Sequence, residues 1–192
     1  MKFKTIFIVC LMTLSSFLPV ITCANDEVAA SLPVETLDTS EKIEKTLQKY
    51  SSKLKNQKLI SFVDYSIPIK EKRFFVYDLK NNRVVYSTYV GHSGYSGRDR
   101  PLNLSNTPNT RKTSVGLFKI GVQYYGSFGK SKRLHGLSNS NSNAFKRAIV
   151  AHSMPGWSVQ DLYSWGCFTF FERDLDTVFG YMKKGTYLLA VN

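Results

Sequence analysis

The chain has 192 residues, with 26 lysines and arginines against 14 acids and a formal net charge of +12. That length accommodates one domain with a sizeable core, and the lack of internal repeats or heptads excludes solenoids and coiled coils. The basic balance suits an anionic partner such as nucleic acid, acidic lipid or an acidic polymer.

Lys2 and Lys4 give a positive start, and an apolar stretch follows over residues 6–21. Thr22-Cys23-Ala24 supplies the small residues that a signal peptidase reads, so residues 1–24 are expected to be an export signal cleaved after Ala24. The segment is short, and the polar run Asn25-Asp26-Glu27 follows it, which favours cleavage over a retained membrane anchor. Lipidation of Cys23 is the alternative, and it alone would tether the protein to a membrane. Loss of Lys2 and Lys4 lowers the formal charge from +12 to +10. Export argues against nucleic acid and for the bacterial cell wall, whose peptides carry free carboxylates. The expected location is periplasmic, or more broadly extracytoplasmic.

Residues 25–58 read as a flexible leader, broken by Pro33, and then a helix. Asp38 with Glu41 resembles a capping box, and Ile43, Leu47, Tyr50 and Leu54 recur at helical spacing. From residue 59 the pattern turns to short β segments: 59–65, 73–78, 83–90, 115–122, 148–151 and 187–191. Leu79-Lys80-Asn81-Asn82 reads as a hairpin turn. Phe171, Leu175, Val178, Phe179 and Met182 mark one amphipathic helix near the end. Residues 59–192 are therefore expected to form one mainly β domain, a sandwich of mixed or antiparallel sheets with a helix near each end. Two polar stretches, 91–114 and 138–143, read as loops; the first is long enough to be functional.

Cys167 is the one cysteine outside the export segment, so it lacks an intramolecular disulfide partner. It stands in Ser164-Trp165-Gly166-Cys167, fifteen residues after His152. An imidazole that takes the thiol proton activates the sulfur as a thiolate–imidazolium pair. Gly166 allows a substrate close to the backbone, and the N–H groups of Gly166 and Cys167 are candidate oxyanion donors. The Ser153 carbonyl is placed to fix the imidazole tautomer without an aspartate. His92, His135 and His152 are scattered without clustered carboxylates, so neither a metal site nor a cofactor is expected.

These residues carry a resemblance. The chain is similar to the L,D-transpeptidase catalytic domain family of bacterial cell-wall enzymes, whose motif is a histidine, a loop of roughly fifteen residues and then Ser-His-Gly-Cys. The start His152-Ser153-Met154-Pro155-Gly156-Trp157 resembles a variant with serine after the histidine. Phe75-Val76-Tyr77-Asp78-Leu79, Val90-Gly91-His92-Ser93-Gly94, Leu104-Ser105-Asn106-Thr107-Pro108, Ser114-Val115-Gly116-Leu117, Leu134-His135-Gly136-Leu137 and Arg147-Ala148-Ile149-Val150 resemble its murein L,D-transpeptidase branch.

The resemblance implies a cysteine L,D-transpeptidase acting on peptidoglycan stem tetrapeptides through a thioester acyl-enzyme, and open to carbapenems. Cys167 is then the nucleophile, His152 the base, Ser153 its orienting group and Gly166 an oxyanion contact. Trp165 stands where the family has a second histidine, and Phe168-Thr169 where many relatives carry an apolar residue and then arginine or asparagine. A substrate carboxylate must then be held by another group, with Arg133, Arg147, Arg111 and Lys112 as candidates. Ser164, Trp165 and His92 are the other expected substrate-binding residues. An L,D-carboxypeptidase using the same residues, and a wall-binding module without turnover, are the alternatives.

Overall fold

The computed structural model describes residues 34–192; the expected export signal over residues 1–24, with Cys10 and Cys23, and the expected leader up to Pro33 lie outside them. The first helix, α1 (Val34–Leu47), begins four residues before Asp38. No helix breaker separates Pro33 from Leu47 in the sequence, and proline is tolerated at a helix start but not inside one. A 3-10 turn (Gln48–Tyr50) and the short α2 (Ser51–Leu54) continue it.

Eight strands follow: β1 (Leu59–Asp64), β2 (Phe74–Asp78), β3 (Arg83–Thr88), β4 (Gly116–Gly126), β5 (Gly129–Gly136), β6 (Val150–Met154), β7 (Phe168–Phe171) and β8 (Tyr187–Val191). The helix α3 (Glu172–Tyr181) lies between β7 and β8. All eight strands form one sheet in the order β3-β2-β1-β8-β4-β5-β6-β7. The pairs β1–β8 and β6–β7 are parallel, and the others antiparallel. The mainly β, mixed-sheet architecture matches the sequence expectation. Its two layers belong to a single continuous ladder.

That ladder is strongly curled. Phe74 on β2 and Phe170 on β7 meet edge to face with ring centroids 5.0 Å apart. On a flat sheet, strands six positions apart would be separated by about 29 Å. One core therefore lies inside the curl, formed by Val63, Phe118, Leu134, Ala151, Phe168 and Leu188 together with Leu175, Val178 and Phe179 of α3. The alternate residues of the same strands face outward. Ile60 and Phe62 of β1, with Phe75, Tyr77 and Leu117, cover Ile43 and Leu47 of α1 and Leu54 of α2. Period-two alternation on β1 thus serves two separate cores.

The expected hairpin turn between β2 and β3 is present. Asp78 accepts hydrogen bonds from the backbone N–H groups of Lys80 and Asn81, and Asn82 takes a left-handed conformation at φ 48°. Strand β5 is missing from the sequence reading because Gly-Lys-Ser-Lys-Arg-Leu-His-Gly looks solvated. Lys132 on that strand is in fact buried, and its ammonium donates to the Phe179 and Met182 carbonyls at 2.7 and 2.5 Å, at the end of α3. A cation there satisfies carbonyls left free at a helix C-terminus. Strand β7, too, escapes the pattern: its four residues are all buried, so no alternation marks it.

Candidate active site

The site forms where β6 and β7 run parallel near the edge of the sheet. Ala151 pairs with Phe168, and His152 with Thr169. Ala151 and Phe168 point into the inner core, so His152 and Thr169 face outward. Cys167 lies two residues before Thr169 and shares its face. Diagonal neighbours across adjacent strands lie about 7–8 Å apart at the backbone, a span that two inward-leaning side chains can bridge. Register across the ladder therefore joins two residues that the sequence separates.

Both groups open on a cleft of about 340 Å³ lined by Phe128, Arg147, Ala148, His152, Met154, Tyr163, Ser164, Trp165 and Cys167. The imidazole is buried, and its Nδ1 lies 2.7 Å from the Ser153 carbonyl. A carbonyl only accepts, so Nδ1 carries the proton and Nε2 is left as the basic nitrogen. Phe128, at the tip of the β4–β5 hairpin, stacks on the ring with centroids 4.4 Å apart and an 18° tilt. The thiol of Cys167, 8% exposed, donates to the Ala148 carbonyl at 3.8 Å. Ala148 holds φ 54°, a left-handed conformation that costs a non-glycine residue roughly 1–3 kcal/mol.

Burial pushes the Cys167 thiol up; the Val150 backbone N–H and the Arg147 charge oppose that shift. Burial pushes the His152 imidazole down, against the hydrogen bond to Ser153. Both shifts favour the neutral forms.

The turn before Cys167 is tightly built. Ser164 donates through Oγ to the Cys167 carbonyl at 2.7 Å and accepts from the Gly166 N–H at 3.2 Å. The Gly166 N–H is therefore already engaged, which leaves the Cys167 N–H as the better oxyanion donor. Gly166 has φ 110°, and a Cβ there would meet Ile149 Cδ1 and the Lys112 carbonyl at 2.9 Å. Ser164 itself is held by a hydrogen bond from its N–H to the His92 carbonyl at 3.0 Å.

Among the expected substrate-binding residues, Ser164, Trp165 and Arg147 line the cleft; His92 and Arg133 do not. His92 is fully buried, with Nε2 2.9 Å from the Gly97 carbonyl and Nδ1 2.6 Å from Arg73 Nη2. Its ring nitrogens are spent inside the protein. Arg133 leaves β5 on the outer face and lies over the Tyr124 ring at 4.2 Å. Arg147 is half-buried and donates to the carbonyls of Ser105, at 2.7 Å, and Lys112. It thereby pins the 91–114 loop beside the cleft. The 138–143 stretch clamps that loop from behind, where Asn106 donates to the Asn139 carbonyl at 2.8 Å. Phe128 and Tyr163 are cleft residues absent from the sequence reading, and Ala148 and Met154 entered it only within family-like stretches, with no site role. Phe128 carried one local signal, an aromatic set between Ser127 and Gly129 in a turn.

Among the described residues no three His, Cys, Asp or Glu side chains cluster as metal ligands, and no helix is long and apolar enough to cross a membrane.

The family model described as L,D-transpeptidase catalytic domain matches residues 34–191. The chain belongs to the L,D-transpeptidase catalytic domain family. Among solved structures, the chain is similar to the helical cell shape determining protein Pgp2 of Campylobacter jejuni, at 12% identity and a TM-score of 0.47, covering 69% of this chain and 46% of that one. It is similar to Bd1075 of Bdellovibrio bacteriovorus at 12% identity and a TM-score of 0.48, covering 70% and 47%. A further likeness is to L,D-transpeptidase LdtMt1 in complex with imipenem, at 16% identity and a TM-score of 0.43, covering 70% and 59%. The chain thus spans about half the length of the first of these proteins. No curated protein matches it.

Proposed function

We propose that the protein is an exported L,D-transpeptidase in which Cys167 attacks peptidoglycan stem tetrapeptides and His152 is the general base. The observation that carries this reading is the shared cleft: a free thiol and a tautomer-fixed imidazole on one face of the β6–β7 pair, open to a ligand.

In this reading the thiol turns from the Ala148 carbonyl towards His152 Nε2 as the donor peptide enters. The proton passes to Nε2 as sulfur bonds to the carbonyl carbon of the third stem residue. The carbonyl oxygen becomes negative and is met by the Cys167 N–H. The oxyanion then collapses, the bond to the terminal D-alanine breaks, and His152 protonates the departing amine. A thioester remains. The side-chain amine of a second stem peptide attacks it, gives its proton to His152 and forms the crosslink; the sulfur leaves and is reprotonated. Water in place of that amine would release a free tripeptide. Arg147 is the best-placed cation for a donor carboxylate, because two backbone carbonyls fix its direction. Residues 1–24 act as the export signal and deliver the enzyme to the periplasm, where the stem peptides are. In this reading a carbapenem acylates the same thiol.

The test is intact-mass analysis of the protein incubated separately with stem tetrapeptide and with imipenem. An adduct is expected on the wild type and none on Cys167→Ala, and His152→Ala should slow acylation by about 10²–10⁴-fold. Crosslinked dimer among the products identifies the transpeptidase, and free tripeptide alone the carboxypeptidase. A folded wild-type protein that gains no mass with either reagent would refute the cysteine mechanism.

A further inference from the structure

A second groove, of about 330 Å³, adjoins the catalytic cleft and shares Tyr163, Ser164 and Trp165 with it. Those three residues form a common wall, and Gly94, Tyr95 and Arg98 complete the groove. Arg98 lines the groove, and a second guanidinium, that of Arg111, lies over the rings of two of its lining residues, Trp165 and Tyr95. Arg111 lies over the Trp165 ring at 3.9 Å and donates to the Tyr95 hydroxyl at 3.3 Å. Arg98 lies over the Tyr163 ring at 5.5 Å, and its carbonyl accepts the Tyr163 hydroxyl. Neither arginine has a carboxylate partner among the described residues.

The placement of Arg111 is specifically built. Its backbone is left-handed at φ 57°, unfavourable for a long side chain. The Ser93 hydroxyl holds that conformation by donating to the Arg111 carbonyl, and Ser93 is itself buried and donates its N–H to Thr113 Oγ1 at 3.0 Å. An arginine serving only solubility gains nothing from such a backbone. What the strain achieves is a guanidinium set over Trp165, with part of its ordering cost met before any ligand binds. Planar, pre-oriented forks of this kind match carboxylates.

We propose that this groove binds the second, amine-bearing peptide, and that Arg98 and Arg111 hold its free carboxylate. Trp165 is then the partition between the two peptides. The inference rests on the transpeptidase reading above and deepens it: the donor occupies the Arg147 side and the acceptor the Arg98–Arg111 side. It also accounts for the basic charge of the 91–114 loop, which the donor half of the reaction leaves unused.

The test separates binding from turnover. Full-length Cys167→Ala protein is titrated calorimetrically with an amine-bearing acidic peptide and with the same peptide carrying its carboxylate as an amide. The acid should bind about tenfold or more tighter than the amide, as expected for a charge-assisted pair. Adding Arg98→Gln and Arg111→Gln should erase that difference. In the Cys167-containing protein, the same two substitutions should raise the acceptor KM for the acid peptide, leave the KM for the amide peptide where it was, and weaken acceptor transfer more than thioester formation from donor. Equal affinity for acid and amide would overturn the inference, as would a double variant that loses donor acylation as strongly as acceptor transfer. A protein that never acylates yet still distinguishes acid from amide would overturn the cysteine mechanism and leave the groove assignment standing.

Discussion

Lowering the pH should destabilise the protein through His92. Its ring lies 2.6 Å from Arg73 Nη2, and Arg73 is fully buried, with Nε and Nη2 donating to the Val90 carbonyl and Nη1 to the Ile67 carbonyl. Arg73 remains charged at neutral pH although burial lowers it to about 10. The imidazole must therefore accept from the guanidinium at Nδ1 and donate from Nε2 to Gly97. Protonation would put two cations in contact inside the protein. Burial first, and Arg73 second, lower His92 from 6.5 to about 4. The folded state thus binds the proton less readily than the unfolded chain, so the associated stability is present above pH 6.5 and disappears as pH falls towards 4. Linkage over that interval gives a loss of about 2 kcal/mol by pH 5 and about 3 kcal/mol by pH 4. Urea unfolding of the wild type and of His92→Gln, followed from pH 7 to pH 4, measures it. Glutamine keeps an acceptor for Arg73 and a donor for Gly97 but does not titrate. The variant should start less stable and lose about 2 kcal/mol less between neutral pH and pH 5. Parallel stability curves for the two proteins would refute the reasoning.

Removing the ring that covers the His152 imidazole should move its titration. Phe128→Ala opens His152 to water, so its depressed pKa should climb back towards the ordinary histidine value; the acid limb of Cys167 acylation by imipenem, measured by stopped flow, should shift upward in pH. Gly166→Ala combines an unfavourable φ of 110° with contacts at 2.9 Å, and should cost roughly 1–3 kcal/mol in thermal unfolding while lowering the acylation rate. Lys132→Met should cost about 1–3 kcal/mol, because the Phe179 and Met182 carbonyls lose their buried donor; a fall in Tm without a change in the pH profile of acylation is the expected pattern.

The local chemistry was legible in the residues themselves. A single thiol among the described residues, a small turn before it and a histidine at the end of an apolar run singled out Cys167 and His152, which line one cleft, because candidate chemistry depends on residue type and short-range context. The mainly β class and the packing helices also followed from periodicity at β1, β2, α1 and α3. Tertiary structure decided which other residues serve that pair. His92 and Arg133 looked available in the sequence, yet the first is sealed against Arg73 and the second is laid on Tyr124. Phe128 reaches His152 only because the β4–β5 hairpin carries it there, and Arg111 reaches Trp165 only because Ser93 holds its backbone. Side-chain partners are set by strand register and loop anchoring, which join residues far apart in the chain and leave no trace in local pattern.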